Sequence, residues 1–259
     1  MTYIDTHAHL YSDAFDEDRG DMIQRALDAG VNKIFLPNID ETSIDGMEIL
    51  VDRYPGVCYS MMGIHPCDVQ KDWQAQLQRI QQCFKPERHI AIGEIGIDLY
   101  WDKSLQAEQT ASFRAQIQWA KSVQLPIVIH CRDSFDEIFS VLDEENDDQL
   151  SGIFHCFTGT AEQGRRILNY GGFKLGIGGV VTFKNSGLDR TIAEIGPEHL
   201  VLETDAPYLT PTPHRGKRNE SAYIPLIAEK LSSIFSIDEI EIGNITSRNA
   251  LEIFKLPRP

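Results

Sequence analysis

Eight short apolar, β-rich runs recur along the chain, at residues 3–5, 33–36, 57–62, 90–93, 127–129, 152–154, 173–177 and 200–202. Successive runs start about 20 to 37 residues apart. That interval holds one helix and two loops, as a βα unit requires. Several intervening segments read as helices. Residues 19–29 end at Gly30, a C-cap signal. Residues 106–123 place Phe113, Ile117 and Ala120 at helical spacing, and residues 161–170 end at Gly171 and Gly172. Eight strands alternating with helices predict an α/β chain folded as a single (β/α)8 TIM barrel over residues 1–259. The length suits that fold, which typically takes about 250 residues.

Composition removes several alternatives. Lys and Arg number 24 against 39 Asp and Glu, a net charge of −15. Tight, non-specific duplex binding needs a basic excess, so it is not expected. No run of apolar residues is long enough for a membrane helix. The start, Met-Thr-Tyr-Ile-Asp-Thr-His, carries neither a basic segment nor an apolar signal core, so a cytoplasmic location is expected. Cysteines stand at 58, 67, 83, 131 and 156 without a CxxC pair. Neither a disulfide framework nor a cysteine zinc site is indicated. The acidic run at 143–148 reads as a solvated helix end or loop.

The chemistry gathers at strand ends. Asp5-Thr6-His7-Ala8-His9 closes the first run, and side chains at i and i+2 of an extended strand share a face. Glu94 follows the fourth run, His130 the fifth, His155 the sixth, and Glu203-Thr204-Asp205 the eighth. In a parallel barrel these carboxyl ends converge on one face, where active sites lie. Histidine and carboxylate are metal ligands, and four imidazoles with two carboxylates exceed the three protein ligands of one catalytic zinc. The excess predicts two divalent ions, roughly 3.5–4 Å apart and bridged by a carboxylate. Imidazole-rich sites suit zinc or manganese, whereas magnesium prefers oxygen, so zinc, magnesium and manganese all stay open. His89 and His199 precede strands and belong to the opposite face. Cys131 and Cys156 follow ligands directly and are expected to point away from them, into the core.

An ordered motif series covers about residues 3–254. It comprises Asp5-Thr6-His7-Ala8-His9, Gly63-Ile64-His65-Pro66, Ile92-Gly93-Glu94-Ile95-Gly96-Ile97-Asp98, His130-Cys131-Arg132-Asp133, His155-Cys156-Phe157-Thr158-Gly159, Leu202-Glu203-Thr204-Asp205-Ala206-Pro207-Tyr208-Leu209 and the stretch from Pro213 to Glu220. The series resembles that of the TatD-type deoxyribonucleases, metal-dependent hydrolases of the amidohydrolase superfamily. The resemblance implies that His7, His9 and Asp205 bind one ion, His130 and His155 the second, and that Glu94 bridges them. It implies that His65 and Arg132 hold phosphate oxygens. No lysine stands at the bridging strand end, which argues against a phosphotriesterase-like site with its carboxylated lysine. Relatives often carry a second histidine shortly after His65, and here Cys67 takes that place.

The implied reaction is hydrolysis of DNA phosphodiesters by a metal-activated water, trimming from an end. Asp205, besides touching a metal, is a candidate to accept the proton of the attacking water. Glu203 reads as a support behind the ligands, a substrate contact or a structural residue. His214-Arg215-Gly216-Lys217-Arg218 is the one compact basic stretch, read as contacting substrate phosphates or holding its loop. An acidic body with a basic mouth favours small or single-stranded substrates. The alternative keeps the binuclear site and changes the substrate to a small phosphoester, lactone or cyclic amide. No obligate protein partner is implied, and a monomer is the default.

Overall fold

A computed structural model describes residues 2–257. Its strands are β1 (Tyr3–Asp5), β2 (Val31–Leu36), β3 (Cys58–Met62), β4 (His89–Asp98), β5 (Ile127–Arg132), β6 (Gly152–Phe154), β7 (Phe173–Ile177) and β8 (Leu200–Leu202). They form one parallel sheet in chain order. The Thr6 amide donates to the Leu202 carbonyl at 3.0 Å and the Asp205 amide to the His7 carbonyl at 2.9 Å, which joins the last strand to the first. The expected TIM barrel is therefore the fold. The outermost limits expected for the domain, residues 1 and 259, lie outside the described residues.

Helices α1 (Arg19–Asp28), α2 (Ile44–Arg53), α3 (Trp73–Cys83), α4 (Gln106–Val123), α5 (Phe135–Glu145), α6 (Ala161–Asn169), α7 (Leu188–Ala193), α8 (Ile224–Phe235) and α9 (Glu239–Ile253) accompany the strands. Gly30 stops α1 with a φ of 85°, a conformation that costs glycine little. Thr160 and Gln163 close the start of α6 with a capping box. The acidic run is more than a solvated end: Arg166 holds Asp143, Arg114 holds Glu144 and Glu145, and Lys121 holds Asp147. These pairs tie α5 and the following loop to α4 and α6.

Strand alternation sorts side chains into two layers. Ile34, Ile95, Ile129, Phe154, Leu175 and Leu202 face the helices, against residues such as Met22, Phe113, Ile138 and Ile227. Ile4, Phe35, Met61, Ala91, Val128, Ile153 and Val201 fill the barrel, closed from the amino end by Ala250, Leu251 and Phe254 at the end of α9. Two residues beyond Val128, Ile153 and Val201 come His130, His155 and Glu203, on the same face one layer higher. The polar centre thus stands on an apolar floor.

β4 runs to Asp98, five residues past the expected run. Its pairing with β5 slips between Ile92 and Ile95, where β4 carries one extra residue. Such bulges redirect side chains beside active sites. Here the bulge lies at Gly93-Glu94.

Candidate metal centre

Glu94 is buried at the middle of five imidazoles, and its two oxygens face different partners. Oε2 lies 3.0 Å from His7 Nε2 and 3.6 Å from His9 Nε2. Oε1 lies 2.8 Å from His130 Nδ1, 3.1 Å from His155 Nε2 and 3.6 Å from His65 Nε2. Asp205 Oδ1 joins the first group, 3.5 Å from His9 Nε2 and 3.8 Å from His7 Nε2. All six ligands expected from the sequence therefore meet at one place. They fall on two sides, His7, His9 and Asp205 towards Oε2 and His130 and His155 towards Oε1, with His65 on the Oε1 side as well.

Hydrogen bonds behind the imidazoles decide which nitrogen offers a lone pair. The Tyr11 hydroxyl gives its one proton to the Pro37 carbonyl (2.6 Å), so it accepts from His9 Nδ1 at 2.8 Å. His9 Nε2 is left with its lone pair directed inward. His130 Nε2 donates to Asp98 Oδ2 at 2.8 Å, which frees Nδ1. His155 Nδ1 lies 3.2 Å from Glu203 Oε1 as an ion-pair contact, and its Nε2 faces Glu94 Oε1. Carboxylates and carbonyls behind ligating histidines orient the ring and raise its basicity. This arrangement of lone pairs fits divalent cations held on either side of Glu94.

The local charge favours cations too. Burial resists charge on Glu94, but His155, His7 and His65 and the bond from His130 outweigh it and hold the carboxyl well below its usual range. Burial likewise opposes ionisation of Asp205, and the bond with His9 and the nearby His155 and His7 reverse the balance. His130 and His155 resist protonation by burial, yet Asp98 and Glu94 raise the first, and Glu94 and Glu203 the second. Positive charge is thus stabilised on either flank of the bridging carboxylate.

Three supporting residues escaped the sequence reading. Tyr11 stands two residues past His9. Asp98 stands four past Glu94 on one strand, an even spacing that signals it. Asp5, buried, accepts from the His7 amide, the Thr204 amide and hydroxyl, and the Ser221 hydroxyl. It fastens the end of β1 to the turn that delivers Asp205. Burial pushes its carboxyl up to about 7 in spite of those donors. Replacement of Asp98 by asparagine puts a donor against His130 Nε2 and drives the ring proton to the inward nitrogen. Affinity for divalent ions should fall by about 10- to 100-fold, read by competition with a chelator. Unchanged affinity would remove Asp98 from the support of the centre.

The sequence profile of the family described as "TatD related DNase" matches residues 4–255. The chain belongs to this family. The "Uncharacterized metal-dependent hydrolase YabD" of Bacillus subtilis is 39% identical over 97% of this chain and 98% of the relative. The "3'-5' ssDNA/RNA exonuclease TatD" of Salmonella typhimurium is 34% identical over 97% and 98%. Among solved structures, a TatD homologue from Escherichia coli, YJJV, superposes with a TM-score of 0.91 at 29% identity, covering 98% of both chains. The protein is thus a TatD-family metal-dependent hydrolase.

The remaining residues of this TatD-family chain separate into those at the centre and those apart from it. A cavity of about 760 Å³ opens onto the cluster and is lined by His65, Cys67, Asp98, Arg132, Asp205 and Tyr208, among others. Arg132 is exposed at its edge. Burial pushes His65 down to about 3, so its ring is neutral. Burial and the carboxylates of Asp98 and Asp68 push the Cys67 thiol up to about 12, so it remains a thiol. Glu203 is fully buried, with Oε1 on His155 and on the Cys156 amide (2.5 Å), inside the space left by Gly176. Its place is behind His155, outside the lining of the central cavity. Cys131 and Cys156 both depart from expectation and line the cavity: Cys131 does so while also packing against the core, and at Cys156 a φ of 47° breaks strand alternation.

The basic stretch departs further. His214 stacks on Tyr223 at 4.5 Å, and the Arg215 guanidinium lies 3.6 Å from the centre of the Phe183 ring. Neither lines the central cavity, so a direct phosphate contact there is not what the structure places. Arg218 is tied to Asp18 through two bonds of 2.7 and 2.8 Å, with Arg25 on the same carboxylate at 2.9 Å. The bonds from Arg218 and Arg25 hold the Asp18 carboxyl below its usual range. Asp18→Asn should cost no more than about 1 kcal/mol, since the pair is partly exposed and screened. A carboxyl lowered by folding stabilises above its unfolded pKa of about 4, so the deficit should narrow as pH falls below that value. Urea midpoints of both proteins at pH 7 and at lower pH check this.

Proposed function

We propose that the chain hydrolyses phosphodiester bonds of single-stranded nucleic acid, one nucleotide at a time from the 3′ end, with two divalent ions. The observation that carries this is the division of Glu94, with Oε2 turned to His7 and His9 and Oε1 to His130 and His155. His7, His9 and Asp205 would hold one ion, His130 and His155 the other, and Glu94 both. Ions bound there supply a Lewis acid for the phosphoryl oxygen and lower the pKa of water towards neutrality. The chain's own groups do the rest. Asp205, kept ionised by its histidines and partly open to the cavity, accepts a proton from water on its carboxylate. Neutral His65 and the planar fork of Arg132 hold non-bridging oxygens. The polarity follows the name of the Salmonella relative, and five free cysteines fit a reducing cytoplasm.

The test is hydrolysis of a short 5′-labelled single-stranded DNA with added magnesium, manganese or zinc, beside its duplex and a chelated control. Stepwise shortening from the 3′ end, dependent on metal and faster than on duplex, is expected. Failure to cleave by protein shown to hold about two ions would discard nucleic acid. It would direct the search to small phosphoesters, lactones and cyclic amides.

A further inference from the structure

Beside the metal centre stands an aromatic pair that hydrolysis itself does not use. Tyr100 and Trp101 are 53% and 71% exposed. Their rings meet edge to face at 4.9 Å. The Arg132 guanidinium lies 3.9 Å from the Tyr100 ring centre and 5.3 Å from that of Trp101. Exposed apolar rings held in fixed order at a cavity mouth mark a binding surface.

The pair is fixed to the metal centre by a single carboxylate. Asp98 Oδ1 accepts from the Tyr100 amide at 2.9 Å and the Trp101 amide at 3.2 Å, while Oδ2 accepts from His130. Trp101 lines the central cavity. Tyr100 lines a neighbouring cavity of about 640 Å³, which shares Cys131, Arg132 and Thr158 with the first. The aromatic pair thus stands along the way from the ligands to a second space.

We propose that Trp101, buttressed edge-on by Tyr100 and Arg132, stacks on an unpaired nucleobase next to the phosphodiester held at the metal centre, and that the strand continues into the neighbouring cavity. This rests on the nuclease reading above and extends it. Every base presents an aromatic face, so stacking tolerates any sequence, but in a duplex both faces are already covered by neighbouring pairs. The platform is therefore the element that selects single strands in an acidic protein whose central cavity, among the described residues, is lined by a single arginine or lysine side chain, that of Arg132.

The test compares wild type, Trp101→Ala and Trp101→Phe on two 3′-ended oligonucleotides. One is ordinary single-stranded DNA, and the other carries tetrahydrofuran abasic sites at its last three positions. Trp101→Ala should raise KM on ordinary DNA roughly 5- to 100-fold with little change in kcat. It should leave KM on the abasic strand unchanged, and Trp101→Phe should restore most of the loss. An unchanged KM in Trp101→Ala, or an equal rise on both strands, overturns the platform. So does a wild type with equal KM on both, which leaves the nuclease reading standing. A metal-loaded wild type that cleaves neither strand overturns both together.

Discussion

Glu94→Gln is expected to reduce hydrolysis on the order of 10³-fold or more, because ions in such sites each contribute several kcal/mol to the transition state. The substitution preserves volume and removes the one charge that both groups of histidines share. An amide presents one oxygen, so at most one flank keeps an acceptor, and its nitrogen brings hydrogens against ligands on the other. On the two-ion proposal, metal content should fall from about two per chain to one or none, measured by elemental analysis after dialysis beside wild type. The two readouts belong together. Full occupancy with activity within about tenfold of wild type, about 1.4 kcal/mol, would show that Glu94 does not join the ions.

Gly96→Ala is expected to be the most damaging substitution for stability. Gly96 has a φ of 143°, and a Cβ placed on it would lie 2.0 Å from the His130 carbonyl oxygen, with the His130 carbon and nitrogen at 3.0 and 3.1 Å. Gly96 is the residue that pairs with His130 across β4 and β5. A methyl group there has only backbone to push against, and that backbone carries a ligand. Overpacking and a backbone conformation foreign to alanine together should cost about 3 kcal/mol or more. Gly56 provides the control: its φ is 79° and nothing lies within 4 Å of the point where a methyl group would stand, so Gly56→Ala isolates the conformational cost. That cost should be about 1 kcal/mol. Equal urea midpoints for the two variants would refute the close approach of β4 to β5.

The barrel was legible because each apolar run had to be buried on both faces, which leaves a simple record in the sequence. Runs 3–5, 152–154, 173–177 and 200–202 coincide with strands. β4 was cut short because Gly-Glu-Ile-Gly-Ile-Asp reads as a strand ending in polar and flexible residues, whereas the bulge keeps it paired up to Asp98. The ligands were legible because His130 and His155 obey alternation from the hydrophobic floor beneath them. Cys156 was misread for the complementary reason, since alternation fails once φ turns positive. Asp5 and Asp98 stand inside the motifs and Tyr11 just beyond one, but their roles lie in the direction of a hydrogen bond, which a motif does not spell out. Charge in the basic stretch was visible, but not that Asp18 and Glu220 would consume the Arg218 and Arg25 cations.

The floor of the barrel has a consequence for the order in which the molecule matures. Ala250, Leu251 and Phe254 pack beneath Ile4, Val128 and Val201, so the base of the sheet stays wet until α9 and Phe254 have left the ribosome. Every histidine at the centre is translated before that. During synthesis the site exists as separate strand ends, and His7 waits for Asp205 until most of the barrel between them has emerged. Because domains fold as units, metal loading should await the emergence and docking of α9. Removing that helix should cost the protein its ions, even though it supplies none of their ligands.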